Sequence, residues 1–155
     1  MFKQLARLSV EADGRYATSE ELRFVKDYLQ SLDQRVSAYN KIQAAEEEII
    51  NKVEEQIRER DSSLFCKGSR DVTSICRRDR VYVLRYSAAT LLSNDLERLR
   101  ENLLIWYQTI VRAFKDEQTA GVTYQVMQEI VKQYLTPQEV ALFSPILELD
   151  RILLG

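Results

Sequence analysis

Residues 76 to 86 of this chain read Cys76-Arg77-Arg78-Asp79-Arg80-Val81-Tyr82-Val83-Leu84-Arg85-Tyr86. The stretch reads as part of one helix, on which Cys76, Asp79 and Arg80 share a face because they lie three and four residues apart. A thiol, a carboxylate and guanidinium groups on one face suit an acidic, nitrogen-rich ligand. A linear tetrapyrrole matches this set: a thiol captures its vinyl-type side group, a carboxylate accepts from its pyrrole N–H groups, and arginines bind its propionates.

At these residues the chain resembles the phycobiliproteins, the light-harvesting subunits of cyanobacterial and red-algal phycobilisomes. Their attachment helix reads Cys-x-Arg-Asp, four residues, then Leu-Arg-Tyr, and six positions here fall in register with it: Cys76, Arg78, Asp79, Leu84, Arg85 and Tyr86. Residues 12–16 (Ala-Asp-Gly-Arg-Tyr) and 18–22 (Thr-Ser-Glu-Glu-Leu) resemble the opening signature of the family. The likeness extends to about residue 95 and is closest to the allophycocyanin-type core subunits.

The resemblance implies an all-α, globin-like phycobiliprotein fold in one domain, with an N-terminal arm at 1–17 and a helical body at 18–155. It also implies a pigment and no enzymatic activity. Phycocyanobilin would be attached covalently to Cys76, Asp79 would bond its central nitrogens, and Arg78 with Arg80 would hold its propionates. Tyr82 falls near the place where the family packs an aromatic ring against the pigment.

The resemblance further implies a partner subunit. In the family, an aspartate at the place of Asp13 pairs across subunits with an arginine at the place of Arg85, and Arg15, Tyr16 and Tyr86 belong to the same interface. A charge pair of this kind fixes register and partner choice. We therefore expect an α/β-like pair built further into a ring, contacts with phycobilisome linker proteins, and a peripheral position on the cytoplasmic side of the thylakoid membrane. No signal peptide is recognisable at the start of the sequence.

Several departures indicate a divergent member. Between Gly68 and Cys76 the chain is shorter than its family, and the Asn-Ala-Tyr segment that forms part of the pigment pocket is missing. Arg77 replaces a residue that is usually apolar, which adds a positive charge beside the thiol. After Asp95 the likeness fades into a general helical pattern. These changes keep open a pigment-free assembly, regulatory or photoprotective factor of the antenna, and, with weaker support, a bilin carrier or lyase.

Composition excludes other classes of protein. The chain has 155 residues with 45% hydrophobic and 30% charged positions, which predicts a helical fold with a core that needs no metal or disulfide. Histidine is absent, so a haem held by a proximal histidine and Ser-His or Cys-His catalysis are excluded. The two cysteines, Cys66 and Cys76, cannot form a zinc site alone, and a disulfide between them is the less favoured state in a reducing cytosol. The net charge of −2 argues against nucleic acid, and no apolar segment is long enough to cross a membrane.

Hydrophobic periodicity predicts about seven or eight helices and no strand. A capping box at Thr18 and Glu21 opens a long helix that bends or breaks near Ala44, the attachment helix covers about 71–92, and Asn94 caps the next helix. Thr136, Pro137 and Glu139 start the last helix. The remaining predictions are a loop at residues 61–69, an apolar stripe that places Trp106, Tyr107 and Phe114 in the core, a loop opened by Gly121, and a kink or restart at Pro145.

Overall fold

The computed structural model describes residues 1–67 and 70–155, with the side chains of Lys67 and Arg70 excluded. The part of the predicted loop at Gly68 and Ser69 therefore lies outside the described residues. Seven α-helices occur in the described ranges, as α1 (Phe2–Glu11), α2 (Arg23–Arg60), α3 (Thr73–Ser93), α4 (Leu96–Leu99), α5 (Ile105–Ala113), α6 (Glu117–Val131) and α7 (Pro137–Leu154). The all-α prediction is confirmed, with one addition: the antiparallel pair β1 (Cys66–Lys67) and β2 (Arg70–Asp71) precedes α3.

Helix α2 is the longest element and forms one wall of the core. The capping box at its start is present, because the Glu21 amide donates to the Thr18 hydroxyl and the Thr18 amide donates to Glu21, although this turn lies just ahead of the helix. The predicted break near Ala44 is wrong, since α2 continues unbroken through it. Alanine favours helix, and the buried residues on either side, Ile42 and Ile49, keep one face continuously against the core.

The end of α3 differs from the prediction by one residue. Asn94 does not cap the following helix; it ends α3 in the left-handed conformation, with φ of 49°. Asp95 is the cap of α4 instead, since its carboxylate accepts from the Arg98 amide. Asparagine and aspartate both suit N-caps, and asparagine is also the non-glycine residue that best tolerates the left-handed region.

A π-helical turn at Arg100–Leu104 joins α4 to α5 and rotates the apolar stripe. A π turn contains one residue more than an α-helical turn, so beyond it the positions that face the core are shifted by one residue. Leu99 and Leu103 are buried, but beyond the turn the buried position is Val111. Trp106 and Phe114 are 60% and 67% exposed, so the prediction that they belong to the core is wrong.

Glycine and proline do not interrupt the last two helices. Gly121 lies inside α6, so the loop predicted there is wrong. Gly155 packs against it, and the residue that must lack a side chain there is Gly155: a Cβ on Gly155 would stand 2.7 Å from the Gly121 Cα, whereas a Cβ on Gly121 would make an ordinary contact of 3.6 Å. Pro145 lies within α7 and does not end it, so the predicted restart is wrong.

Helix α7 begins at the capping box that the sequence predicts. Thr136 accepts from the Glu139 amide, Pro137 occupies the first turn, and the Glu139 carboxylate accepts from the Thr136 amide at 2.7 Å. Lys41 and Ser37 on α2 also donate to Glu139, and these bonds hold its pKa at about 2 although burial acts in the opposite direction. The cap therefore ties α7 to α2.

We expect Thr136→Ala to lower the free energy of unfolding by about 1 kcal/mol, the usual effect of losing an N-cap hydroxyl. Urea denaturation followed by circular dichroism measures the change. Thr109→Ala is the matched control, because Thr109 is an exposed threonine whose hydroxyl bonds only to the Ile105 carbonyl within its own helix. An effect of Thr136→Ala no larger than that of Thr109→Ala would contradict the role of the cap.

Helix α1 lies against the turn that follows α3. Lys3 donates to Glu97 at 3.1 Å and to Glu101 at 3.0 Å, and Leu8 is buried within the chain. Phe2 and Val10 remain exposed. The arm thus docks partly on its own body, through the ion pairs of Lys3 and the buried side chain of Leu8.

Candidate functional site

A cavity of about 510 Å³ lies between α3, α5 and α6. Four of the predicted site residues line it, namely Cys76, Arg78, Asp79 and Arg80. Their common position follows from helical spacing on α3, as the sequence predicts. The opposite wall is largely apolar and comes from Ile110, Val111, Phe114 and Ala120.

A second hollow of about 340 Å³ adjoins the first and completes a groove. Arg78, Asp79 and Tyr107 line both spaces, while Tyr82 and Trp106 line only the second. The predicted site residue Tyr82 therefore lies in the same groove as Cys76 but at its other end. The carboxylate of Asp79 is at the junction, where it can face a ligand that extends into both spaces.

Asp79 is bonded on both of its oxygens. Arg78 donates to Oδ1 from Nε at 2.9 Å and from Nη2 at 2.7 Å, which is a bidentate arrangement on one oxygen. The hydroxyl of Tyr107 donates to Oδ2 at 3.3 Å. The Arg78 side chain is 73% exposed, whereas Asp79 is only 24% exposed. The carboxylate is thus fixed, and one of the groups that hold it is free to move into solvent.

Two tyrosines continue from Asp79 into the core. Tyr107 is half-buried, and Tyr124 on α6 is buried and shares a hydrogen bond with it. Burial and the nearby Asp79 carboxylate raise the pKa of Tyr107, while the bond from Tyr124 opposes that rise. The pKa of Tyr124 is raised well above its usual value, first by burial and then by Tyr107. Both phenols therefore stay protonated and can donate in the order Tyr124 to Tyr107 to Asp79.

Arg80 belongs to the floor of the cavity rather than to its rim. Its side chain is 3% exposed, donates to Glu54 at 3.1 Å and lies 5.2 Å from the ring centre of Phe65. Glu54 on α2 also accepts from Arg77 at 2.9 Å. Glu54 engages Nη1 of Arg80, whereas Nε is buried without a hydrogen-bond partner among the described residues. That Arg80 holds a propionate stays a prediction. The extra charge of Arg77 is likewise balanced by Glu54 instead of lying unopposed beside the Cys76 thiol.

The two cysteines differ in position. Cys76 is partly buried and lines the cavity, whereas Cys66 is exposed and lies on β1, outside it. The structure has both as thiols, and that they stay reduced in the cell is a prediction.

The predicted interface residues are not among those that line the groove, although the partly buried Tyr86 lies beside its Tyr82 end. Asp13 is exposed, Tyr16 is 97% exposed, and Arg15 is held by Glu21 at 2.7 Å. Arg85 pairs within the chain with Glu46 at 2.6 Å, and the Tyr86 ring lies 6.3 Å from that of Tyr82. The cross-subunit pair of Asp13 and Arg85 stays a prediction.

Three site residues were missed from the sequence. Glu54 is recognisable only once α2 is packed on α3, because it is 26 positions from Arg80. Tyr107 and Tyr124 come from separate helices, and the sequence placed Tyr107 in a core stripe. The only available signal was a tyrosine in an apolar stripe, whose hydroxyl needs a partner once it is buried.

Comparison with known proteins places this architecture in a family. The family model described as "Phycobilisome protein" matches residues 8–151, and the chain belongs to this family. It is 29% identical over 98 residues to the allophycocyanin subunit beta-18 of Picosynechococcus sp. (strain ATCC 27264 / PCC 7002 / PR-6). That match covers 61% of this chain and 58% of the relative, so the chain spans less than two thirds of the relative's length.

Membership confirms the resemblance read from the sequence and the globin-like phycobiliprotein fold. Members of the family are structural light-harvesting proteins rather than enzymes; they bind covalent linear tetrapyrroles in general and assemble with other phycobiliprotein subunits. The family implies peripheral association with the thylakoid. Among the residues that the structure describes, no helix combines the length and apolar character needed to cross a bilayer.

Proposed function

We propose that this protein is a light-harvesting subunit that carries a linear tetrapyrrole on Cys76 and passes excitation energy within a phycobilisome core. The observation that carries the proposal is the groove itself, in which a thiol, a fixed carboxylate and an exposed arginine face one space. Family membership supplies the class of ligand. The residues of this chain support the particular attachment site.

The groove fits the proposed ligand in size and in chemistry. Its larger space, about 510 Å³, lies within the range of small-molecule sites, roughly 300–1,000 Å³. The apolar wall of Ile110, Val111 and Phe114 suits flat, conjugated rings. Asp79 offers acceptors for ring N–H groups, and Arg78 offers donors for acidic side groups.

Each residue has a defined part. The Cys76 sulfur would add to an exocyclic double bond, forming one S–C bond while the thiol proton moves to the neighbouring carbon, so that no oxidant is needed. Asp79 would bind the central nitrogens, and Arg78 would turn from Asp79 to a propionate. Tyr82 and Trp106 would pack against the end of the pigment that lies farther from Cys76. When bound, the tetrapyrrole supplies the absorption and emission of light, and a rigid protein limits the loss of excitation as heat.

The pigment-free alternative has one observation in its favour. Both oxygens of Asp79 and Nη1 of Arg80 are engaged by groups of the protein itself, so these groups have partners that no pigment supplies. An assembly, regulatory or photoprotective factor of the antenna could keep such a site without filling it. A transient bilin carrier or lyase is supported less, because only Cys76 and the arginines would assist transfer.

We also propose the partners and the location. Asp13, Arg15 and Tyr16 of one subunit would meet Arg85 and Tyr86 of another phycobiliprotein-type subunit, in a pair that can extend to a ring. Arg85 would exchange Glu46 for the partner's carboxylate, which is feasible because its side chain is 67% exposed. Linker proteins would attach the assembly to the cytoplasmic face of the thylakoid.

Co-expression with a phycocyanobilin pathway and a lyase tests the proposed function. We expect a denaturing gel stained with zinc to show a fluorescent band for the wild type and none for Cys76→Ala, because the thioether cannot form. Cys66→Ala is the matched control and should keep the band, since Cys66 lies outside the groove. If folded wild type takes up no pigment with several lyases, the pigment-free function replaces this one.

A further inference from the structure

The two groups that hold Asp79 differ in their freedom to move. Arg78 reaches Oδ1 from the surface, with most of its side chain in solvent. Tyr107 reaches Oδ2 from the buried side, where its hydroxyl also meets that of Tyr124. An exposed ion pair between neighbouring residues is weak and exchangeable, whereas a buried hydroxyl chain is fixed by packing.

The donor and acceptor order of Tyr124, Tyr107 and Asp79 follows from the chemistry of these groups. Asp79 as a carboxylate can only accept, so Tyr107 donates to it and has its oxygen left to accept from Tyr124. Tyr124 is 4% exposed and comes from α6, which packs against α2 and α7. The hydrogen bonds from Tyr124 to Tyr107 to Asp79 therefore connect the groove wall on α3, through α5, to the centre of the protein.

We propose that Tyr107, itself fixed by Tyr124, is a positioning residue that holds Oδ2 of Asp79 so that Oδ1 faces the ring nitrogens of the bound tetrapyrrole. The inference rests on the proposed function. Arrival of an acidic ligand draws Arg78 to the propionates and leaves Oδ1 open. Without Tyr107, the same event would release the carboxylate entirely.

The distance agrees with this role. At 3.3 Å, the contact of Tyr107 with Asp79 is longer than a typical O–H···O bond of 2.5–3.0 Å. A contact of this length can shorten when a ligand packs against the tyrosine. Tyr107 lines both parts of the groove, so a ligand that spans them would press on it directly.

The test compares three tyrosine-to-phenylalanine variants of the pigmented protein. Y107F and Y124F each remove one of the two hydroxyls that lead to Asp79. Y28F is the matched control, because the Tyr28 hydroxyl that it removes donates to the Leu92 carbonyl at 2.6 Å, outside the groove. The readouts are the fluorescence yield per attached pigment and the width of the absorption band. Zinc staining reports attachment, and thermal unfolding reports any general loss of structure.

We expect attachment to persist in all three variants, since Cys76 is unchanged. The yield should fall and the band should broaden in Y107F, with a smaller change in the same direction in Y124F and none in Y28F. Loss of one hydrogen bond changes the ratio of held to released carboxylate by about fivefold. If pigmented Y107F has the same fluorescence yield and band width as the pigmented wild type, the positioning role is overturned.

A measurement without pigment separates the two proposals. The carboxyl carbon of Asp79, labelled with ¹³C and assigned with Asp79→Asn, should shift in Y107F and Y124F but not in Y28F. An unmoved resonance in Y107F would overturn the positioning role whether or not pigment binds. Wild type that never takes up pigment contradicts the proposed function instead.

Discussion

Replacing Glu54 by glutamine is expected to lower the free energy of unfolding by about 3 kcal/mol or more, the usual scale for leaving a buried charge without its partner. Glu54 is 14% exposed and faces Arg80, which is 3% exposed, and Arg77, which is 34% exposed. Glutamine keeps the shape and can still accept from one arginine. It leaves the positive charge of Arg80 uncompensated beneath the groove.

Urea denaturation measures this effect, and Glu46→Gln is its matched control. Glu46 lies on the same helix and also binds an arginine of α3, but that arginine, Arg85, is 67% exposed. Exposed pairs contribute about 0–1 kcal/mol, so Glu46→Gln should have little effect. Equal losses in the two variants would contradict the importance of burial.

A double variant tests the mechanism. Glu54→Gln combined with Arg80→Met should recover most of the stability lost in Glu54→Gln alone, because no buried charge is then left unpaired. If the double variant is less stable than Glu54→Gln, Arg80 contributes chiefly through packing on Phe65 rather than through its charge.

Contacts between residues close together in the sequence were predictable. The capping box at Thr136 forms as predicted, and the reciprocal bonds of Thr18 and Glu21 also form, although in a turn ahead of α2. Each pair needs only residues three positions apart. The shared face of Cys76 and Asp79 also follows from helical spacing alone. The family signature spans the same short range, which explains why the groove's α3 wall could be predicted residue by residue.

Features that depend on geometry between helices were not predictable. The π turn at Arg100–Leu104 shifts the inward face by one residue, so a regular period misplaces Trp106 and Phe114. The pairing of Arg80 with Glu54 exists only because α2 packs on α3. The tyrosine chain joins three helices, and no pattern along the sequence marks such a contact.

Asp150 is expected to make the protein less stable as the pH rises from about 4 to about 8. The carboxyl lies on α7, is 2% exposed and accepts from the Ser87 hydroxyl at 2.7 Å through Oδ2. Its Oδ1 is buried and has no hydrogen-bond partner among the described residues. Burial raises the pKa of Asp150 to about 8, and the bond from Ser87 opposes this only in part.

The sign follows from proton binding. In the unfolded chain an aspartate loses its proton near pH 4, whereas folded Asp150 keeps its proton up to about 8. Between these values the folded state binds more protons, so the free energy of unfolding falls with rising pH, by up to about 1.4 kcal/mol per pH unit. Below this window both states are protonated, and above it both are ionised.

We expect Asp150→Asn to remove this slope, because asparagine has nearly the same shape and cannot ionise. The stability difference between Asp150→Asn and wild type should grow steadily from pH 5 to pH 8 in urea denaturation. Glu47→Gln, at an exposed acid, is the control and should run parallel to wild type. Parallel curves for Asp150→Asn and wild type would show that Asp150 is already ionised in the fold at pH 5.

The chain is well suited to this measurement because it contains no histidine, the side chain that ordinarily titrates between pH 5 and 8. Burial lowers the pKa of the Met1 amino group, which gives a slope of the opposite sign near neutral pH, but this group is common to both variants and cancels in their difference. At the acid end, the pKa of Glu139 is lowered to about 2, so its contribution to the free energy of unfolding declines as the pH falls from about 4 to about 2. Wild type should therefore be most stable near pH 4–5, whereas Asp150→Asn should hold that stability to higher pH.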